Sequence, residues 1–144
     1  MKKIVLFTFA MALALLLNYA YSRAAQEATK LRAQLTGAAE VGGGDLKGSG
    51  TAQVTVDADK NEVCYDLTVM NVPDATAAHI HEGAVGQDGP VKVPFDAPKT
   101  GSAKGCKTAD AAVVKAIMQN PSNYYVNVHN TAYPKGAVRG QLSK

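Results

Sequence analysis

Alternation of apolar and polar residues with a period of two dominates most of the chain. It is clearest in three stretches, KLRAQLTG (30–37), TAQVTVD (51–57) and EVCYDLTVM (62–70). In the first of these, Leu31, Ala33 and Leu35 alternate with polar neighbours. Because successive side chains of a strand point to opposite faces, this pattern predicts strands with one buried and one solvent-facing side.

Shorter segments of the same character follow, separated by turns rich in glycine, asparagine, aspartate and proline. They are residues 77–81, 91–95, 124–129 and 137–142. One segment has helical spacing instead, with Thr108 as a predicted cap and Pro121 as its end. Its apolar residues are Val113, Val114, Ile117 and Met118. The predicted fold is all-β, a Greek-key-like β-sandwich or flattened barrel of about seven to eight strands with one short connecting helix.

The first residues have the layout of a secretory signal peptide. Lys2 and Lys3 precede an apolar run from Ile4 to Leu17, and small residues follow near Ser22. The run is shorter than the roughly 18 residues that span a bilayer. We therefore predict a signal peptide over residues 1–22, cleaved after Ser22 or Ala24, and a single domain over residues 29–144. An uncleaved anchor is the alternative, and only then would the protein be membrane-associated.

Export changes the charge balance. The full chain has 15 basic and 12 acidic residues, and loss of Lys2 and Lys3 leaves 13 basic residues and a net charge of +1. No basic run or basic–aromatic pattern remains, so nucleic acid is not an expected partner. The expected location is periplasmic or secreted.

The two cysteines, Cys64 and Cys106, fit an exported protein. An even number of cysteines in an oxidising compartment favours one disulfide over two free thiols. In the chain-entropy model, closing the loop between Cys64 and Cys106 would stabilise the fold by about 4 kcal/mol.

All three histidines fall in predicted strands. In AAHIHEG (77–83), His79 and His81 lie on the face opposite Ala78 and Ile80; in NYYVNVHN (123–130), His129 lies on the face opposite Val126 and Val128. If the two strands are neighbours, the three imidazoles converge on the outer face of the sheet. Three imidazoles without thiolates suit Cu(II), with Zn(II) as the alternative.

The competing interpretation gives the histidines a structural role. In it they bond to loop carbonyls and hold the glycine-rich loop that follows His81. Three further residues are candidates as an additional ligand or as support for the ligands: Glu82, Asn127 and Arg139. Arg139 has two alternative interpretations, a strand residue that faces solvent and a guide for anions beside the histidines.

Two long motifs resemble the CHRD domain, a family named from chordin. They are HIHEGAVGQDGPVKVPF (79–95) and NPSNYYVNVHNTAYPKGAVRGQL (120–142), and the resemblance extends over residues 29–142. It implies a small secreted β domain, but it implies no defined activity.

The chain also resembles the copper site of copper-zinc superoxide dismutase, a Greek-key β-barrel. The resemblance matches His79 and His81 to a His-x-His copper pair, His129 to a later copper ligand, and Arg139 to the arginine that guides superoxide. This chain has three histidines in all, so it lacks the histidine that bridges copper to zinc and the zinc site of that enzyme.

The leading functional expectation is an exported metal-binding module that holds copper through His79, His81 and His129. The second is a metal-free adhesion or scaffold domain that binds another exported protein. A redox enzyme of the superoxide dismutase kind is the third. The sequence does not decide whether the protein is an enzyme.

Overall fold

A computed structural model describes residues 27–144, so the predicted signal peptide lies outside the described residues. The elements are β1 (Thr29–Thr36), β2 (Ser49–Asp57), β3 (Glu62–Met70), β4 (Ala75–Glu82), β5 (Val91–Phe95), β6 (Ser102–Thr108), α1 (Ala111–Gln119), β7 (Tyr124–Asn130) and β8 (Val138–Gln141). Short 3-10 turns follow β1 and precede β7. Within this part of the chain, no helix is long and apolar enough to cross a membrane.

The eight strands form one antiparallel sheet in the order β5-β4-β7-β8-β1-β2-β3-β6. The sheet curls into a nearly closed barrel. Its interior is a single apolar core to which every strand except β6 contributes fully buried residues. The predicted all-β fold with one helix is confirmed in its flattened-barrel form.

The two ends of the sheet order, β5 and β6, meet at a seam held by side chains. Tyr65 of β3 stacks on Phe95 of β5 with ring centroids 4.0 Å apart. The Tyr65 hydroxyl donates to the Asp96 carboxylate at 2.8 Å, and Lys107 of β6 pairs with the other Asp96 oxygen at 2.8 Å. Side-chain contacts thus close the barrel where the strand ladder ends.

Strand β6 carries the predicted disulfide. Cys64 and Cys106 are directly paired residues of β3 and β6, and they are bonded to each other across a sequence separation of 42. The disulfide prediction is confirmed. It ties the edge strand β6 to its neighbour β3.

Two details of the sequence prediction are wrong. Strand β6 was not predicted, because SAKGCKT has no residue that is fully buried and shows no apolar alternation. The helix is capped by Asp110, whose carboxylate accepts from the Ala112 N–H at 2.8 Å. Thr108, the predicted cap, is the last residue of β6. The helix buries Val114, Ile117 and Met118 in the barrel core and ends before Pro121, as predicted.

Candidate metal site on the outer face of strands β4 and β7

Strands β4 and β7 are hydrogen-bonded antiparallel neighbours, which the sequence could only assume. His79 is opposite Asn127, His81 is opposite Tyr125, and His129 is opposite Ala77. Ala78 and Ile80 point into the core with no exposed surface, so the histidines beside them face outward. The pleat therefore brings His79, His81 and His129 to one outer patch, with Asn127 between them.

The three rings form a compact cluster. One ring nitrogen of each histidine lies within 4.8 Å of a ring nitrogen of both others. His79 Nδ1 and His129 Nε2 are 3.2 Å apart. Two nitrogens bound to one tetrahedral ion at about 2.05 Å would be about 3.3 Å apart. The observed spacing fits two ligands of one metal ion, and in the metal-free protein it is a hydrogen bond in which His79 Nδ1 donates to the His129 Nε2 lone pair.

Backbone carbonyls decide which nitrogen of two rings carries the hydrogen. His81 Nδ1 lies 2.9 Å from the Gly89 carbonyl oxygen, and His129 Nδ1 lies 3.0 Å from that of Pro134. A carbonyl only accepts, so both Nδ1 atoms donate and both Nε2 atoms keep a lone pair that can accept. In metal sites the ligating histidine characteristically donates its other N–H to a carbonyl or carboxylate in this way.

One of these lone pairs has no partner. His81 Nε2 is buried and makes no hydrogen bond to any described residue. A buried polar atom without a partner destabilises a fold and calls for an explanation. A cation held between the rings would satisfy the His81 Nε2 lone pair.

The surroundings of two of the three histidines disfavour the protonated imidazole. Burial, together with the neighbouring His129 and His81, lowers the pKa of His79 to about 4. Burial also lowers the pKa of His129, although the Pro134 carbonyl acts in the opposite direction. Since only the neutral imidazole binds a metal ion, these two side chains are in the binding form at neutral pH.

The outer faces of β7 and β8 beside the cluster are covered by loops. Tyr125, Asn127 and Arg139 are 2%, 2% and 1% exposed. The expectation that Arg139 faces solvent is therefore wrong. The β4–β5 loop (residues 83–90) lies over Arg139, and the Arg139 guanidinium donates to carbonyl oxygens of that loop.

Asn127 pairs with His79 across β4 and β7, and its side chain binds a carboxyl group. Its Nδ2 donates to Glu40 Oε1 at 2.6 Å, while its Oδ1 is buried without a partner in residues 27–144. Burial raises the pKa of Glu40 to about 7, opposed by Arg139 and by the Asn127 hydrogen bond. The Glu40 carboxylate packs so close to Gly136 that a Cβ there would collide with it.

Glu82 is turned away from the cluster. It follows His81 in β4, so it points to the other side of the strand. Its carboxylate pairs with Lys92 at 2.7 Å. A second group, Glu62 with Cys64 and Cys106, also brings ligand types together, but its sulfurs are joined in the disulfide.

The residues that position the histidines could not be predicted from the sequence. Gly89 and Pro134 act through their backbone carbonyls, which every residue has, so the residue type gives no signal. The alternation in NYYVNVHN puts Tyr125 on the same face as His129, but it gives Tyr125 no role. Glu40 lies in a turn far from the histidine motifs, and nothing in the sequence linked it to Asn127.

A scan against family models matches residues 31–142 to the CHRD domain. The match covers most of the chain. The protein belongs to the CHRD domain family. The resemblance seen in the two sequence motifs is thereby confirmed. No curated protein matches the chain. The three histidines and the covering loop all lie within the matched CHRD segment.

Proposed function

We propose that this CHRD domain is an exported metal-binding module that holds copper through His79, His81 and His129, with zinc as the alternative metal. The observation that carries the proposal is the arrangement of the ring nitrogens. Two rings are held by carbonyls through Nδ1, and the buried Nε2 of His81 has no partner among the described residues.

Copper is favoured by the chemistry of the donors. Three neutral imidazoles without a thiolate suit Cu(II) or Zn(II), and for a given nitrogen site Cu(II) binds more tightly than Zn(II). The sulfur atoms of the chain are unavailable as thiolates because Cys64 and Cys106 form the disulfide. Water would complete the coordination, since Glu82 is engaged with Lys92.

The scaffold interpretation is the second candidate, and one observation favours it. His81 and His129 bind the carbonyls of Gly89 and Pro134, as histidines that brace loops would. These bonds use only Nδ1, however. The scaffold role gives no reason for the buried Nε2 of His81 or for its convergence with the other two rings.

A redox reaction at the metal remains a third proposal. The arginine that would guide an anion has its guanidinium buried against loop carbonyls, which does not support that role for Arg139. Copper-loaded protein that removes superoxide no faster than free copper would contradict a dismutase activity.

Export belongs to the proposal as well. The disulfide is of the kind that persists in oxidising compartments, and the basic and apolar start of the chain has the layout of a signal peptide. We propose a periplasmic or secreted location. The proposed partner is a metal ion, and another exported protein is the partner only in the scaffold interpretation.

The test is calorimetric titration of metal-stripped protein with Cu(II) and, separately, Zn(II). The expected result is one copper ion per chain, with affinity reduced about a hundredfold in His129→Ala, since one of three ligands is lost. Gln53→Ala is the matched control, because Gln53 is an exposed polar residue on the outer face of β2. Absence of specific copper and zinc binding by the wild type would contradict the proposal and favour the scaffold role.

A further inference from the structure

Arg139 is a fully buried arginine that organises a loop. Its Nη2 donates to the carbonyl oxygens of Ala84 and Gln87 at 2.9 and 2.7 Å, and its Nη1 pairs with Asp88 at 3.3 Å. All three acceptors belong to the β4–β5 loop. The loop is therefore folded around one guanidinium supplied by β8.

The same loop presents the carbonyl that orients His81. Gly89 follows Asp88, and its carbonyl oxygen accepts from His81 Nδ1 at 2.9 Å. Its N–H donates to the Tyr125 hydroxyl at 3.3 Å. A Cβ at Gly89 would collide with the Glu82 carbonyl oxygen, so the loop passes against the end of β4 at a position that only glycine allows.

A second route joins Arg139 to His81 through stacked rings. The guanidinium carbon of Arg139 lies 3.4 Å from the centre of the Tyr125 ring. The Tyr125 ring also stacks on His81, with 4.9 Å between centroids and 8° between planes. Strands β8, β7 and β4 supply these three groups in that order across the sheet.

We propose that Arg139 is a positioning residue for the three-histidine site. Through the loop carbonyls and through Tyr125, it fixes the ring plane of His81 and keeps the hydrogen on Nδ1, so that Nε2 faces the other two imidazoles. The effect on metal affinity rests on the proposed function. The effect on the His81 tautomer does not.

The chemistry of the guanidinium explains why an arginine is needed. Its planar fork reaches two carbonyls and a carboxylate at once while its face lies on an aromatic ring. A lysine ammonium keeps the charge but lacks both the fork and the flat face. Replacement by lysine should therefore restore charge balance without restoring the position of the loop.

The experiment measures the histidine tautomers by ¹⁵N NMR in metal-free protein at about pH 8, where histidines are neutral. In wild type His81 should be a single Nδ1–H tautomer. In Arg139→Gln and Arg139→Lys both tautomers of His81 should be present, while His129 keeps its own. Copper affinity should fall about tenfold, as for other groups that support a metal ligand.

Arg32→Gln is the control, because Arg32 is an exposed arginine on the outer face of β1. It should change neither the His81 tautomer nor copper affinity. Tyr125→Phe is a second probe that spares the buried charge. It keeps the stacked ring and removes the acceptor of the Gly89 N–H, and a minor Nε2–H tautomer of His81 should appear.

A folded Arg139 variant with a single unchanged His81 tautomer and copper affinity within twofold of wild type would overturn the proposal. If neither arginine variant folds, Tyr125→Leu decides, because it removes the ring that contacts both Arg139 and His81: an unchanged tautomer overturns the proposal and a mixture supports it. A wild type that shows the single tautomer but binds neither copper nor zinc would contradict the proposed function alone.

Discussion

The outward-facing residues of the two halves of the barrel differ in burial. In β1, β2 and β3 the burial alternates strictly, and outward residues such as Gln34, Thr51 and Asp66 are exposed. In β7 and β8 the outward residues Tyr125, Asn127 and Arg139 are as buried as the core. The first half is a two-sided sheet, whereas loops add a further layer to the second half. The buried polar residues Asn127 and Arg139 lie where that additional layer excludes water from the sheet.

The largest expected effect concerns the half that has no covering loop. Replacing Cys64 and Cys106 together by alanine should lower the free energy of unfolding by about 4 kcal/mol, because the cross-link no longer restricts the unfolded chain. Urea unfolding of both proteins measures the difference. The histidine face should be unaffected, so copper affinity equal to that of wild type is the control; a lower affinity would show that the two halves are coupled.

Arg139→Met compares the two halves directly. It leaves the carbonyls of Ala84 and Gln87 without their donor, and we expect a loss of about 3 kcal/mol in the free energy of unfolding. Arg32→Met, on the exposed face of β1, should change it by less than about 0.5 kcal/mol. Similar losses in the two variants would contradict the comparison.

His79→Ala separates the metal role from packing. Copper affinity should fall about a hundredfold, equivalent to about 2.7 kcal/mol, because one ligand is lost. In metal-free protein the thermal midpoint should change little, since the ring lies on the outer face of the sheet and is only partly buried. A clear fall in that midpoint with unchanged metal affinity would favour the scaffold interpretation instead.

The smallest effect is a pH dependence that originates at Glu40. Burial raises the pKa of this carboxyl to about 7, so the folded protein holds a proton that the unfolded chain releases near pH 4.5. The sign is therefore a loss of stability as pH rises from about 5 to 8, of about 2 kcal/mol. Arg139, Asp88 and Lys135 are the charged groups near it.

Urea unfolding of metal-free wild type and Glu40→Gln across this pH range measures the effect. The variant has no proton to release at that site, so its stability should fall less over the same interval. Parallel curves for the two proteins would show that Glu40 does not titrate in this range.

The strands with clear alternation could be predicted from the sequence because each buries one face. The outward direction of the three histidines followed from the same alternation. Strand β6 could not be predicted, since it lies at the seam and fully buries no side chain. The burial of Arg139 could not be predicted either, because alternation gives the face of a residue but not whether a distant loop covers it.

The hydrogen bonds that position the histidines could not be predicted from the sequence either. The Gly89 and Pro134 carbonyls are backbone groups that every residue has, and only the fold brings them to His81 and His129. The pairing of β4 with β7 joins segments about 45 residues apart. Alternation thus predicts the face on which the three histidines lie. Long-range contacts determine which ring nitrogen carries the hydrogen.

The seam between β5 and β6 has a consequence for self-association. An open strand edge is a template on which another copy of a chain can add its own strand. Here the two edges face each other, and Lys107, Asp96 and Tyr65 hold them together. Pro94 removes one backbone donor from β5, and Lys104 adds an exposed charge to β6. The contacts that close the barrel therefore also protect the protein from edge-to-edge aggregation.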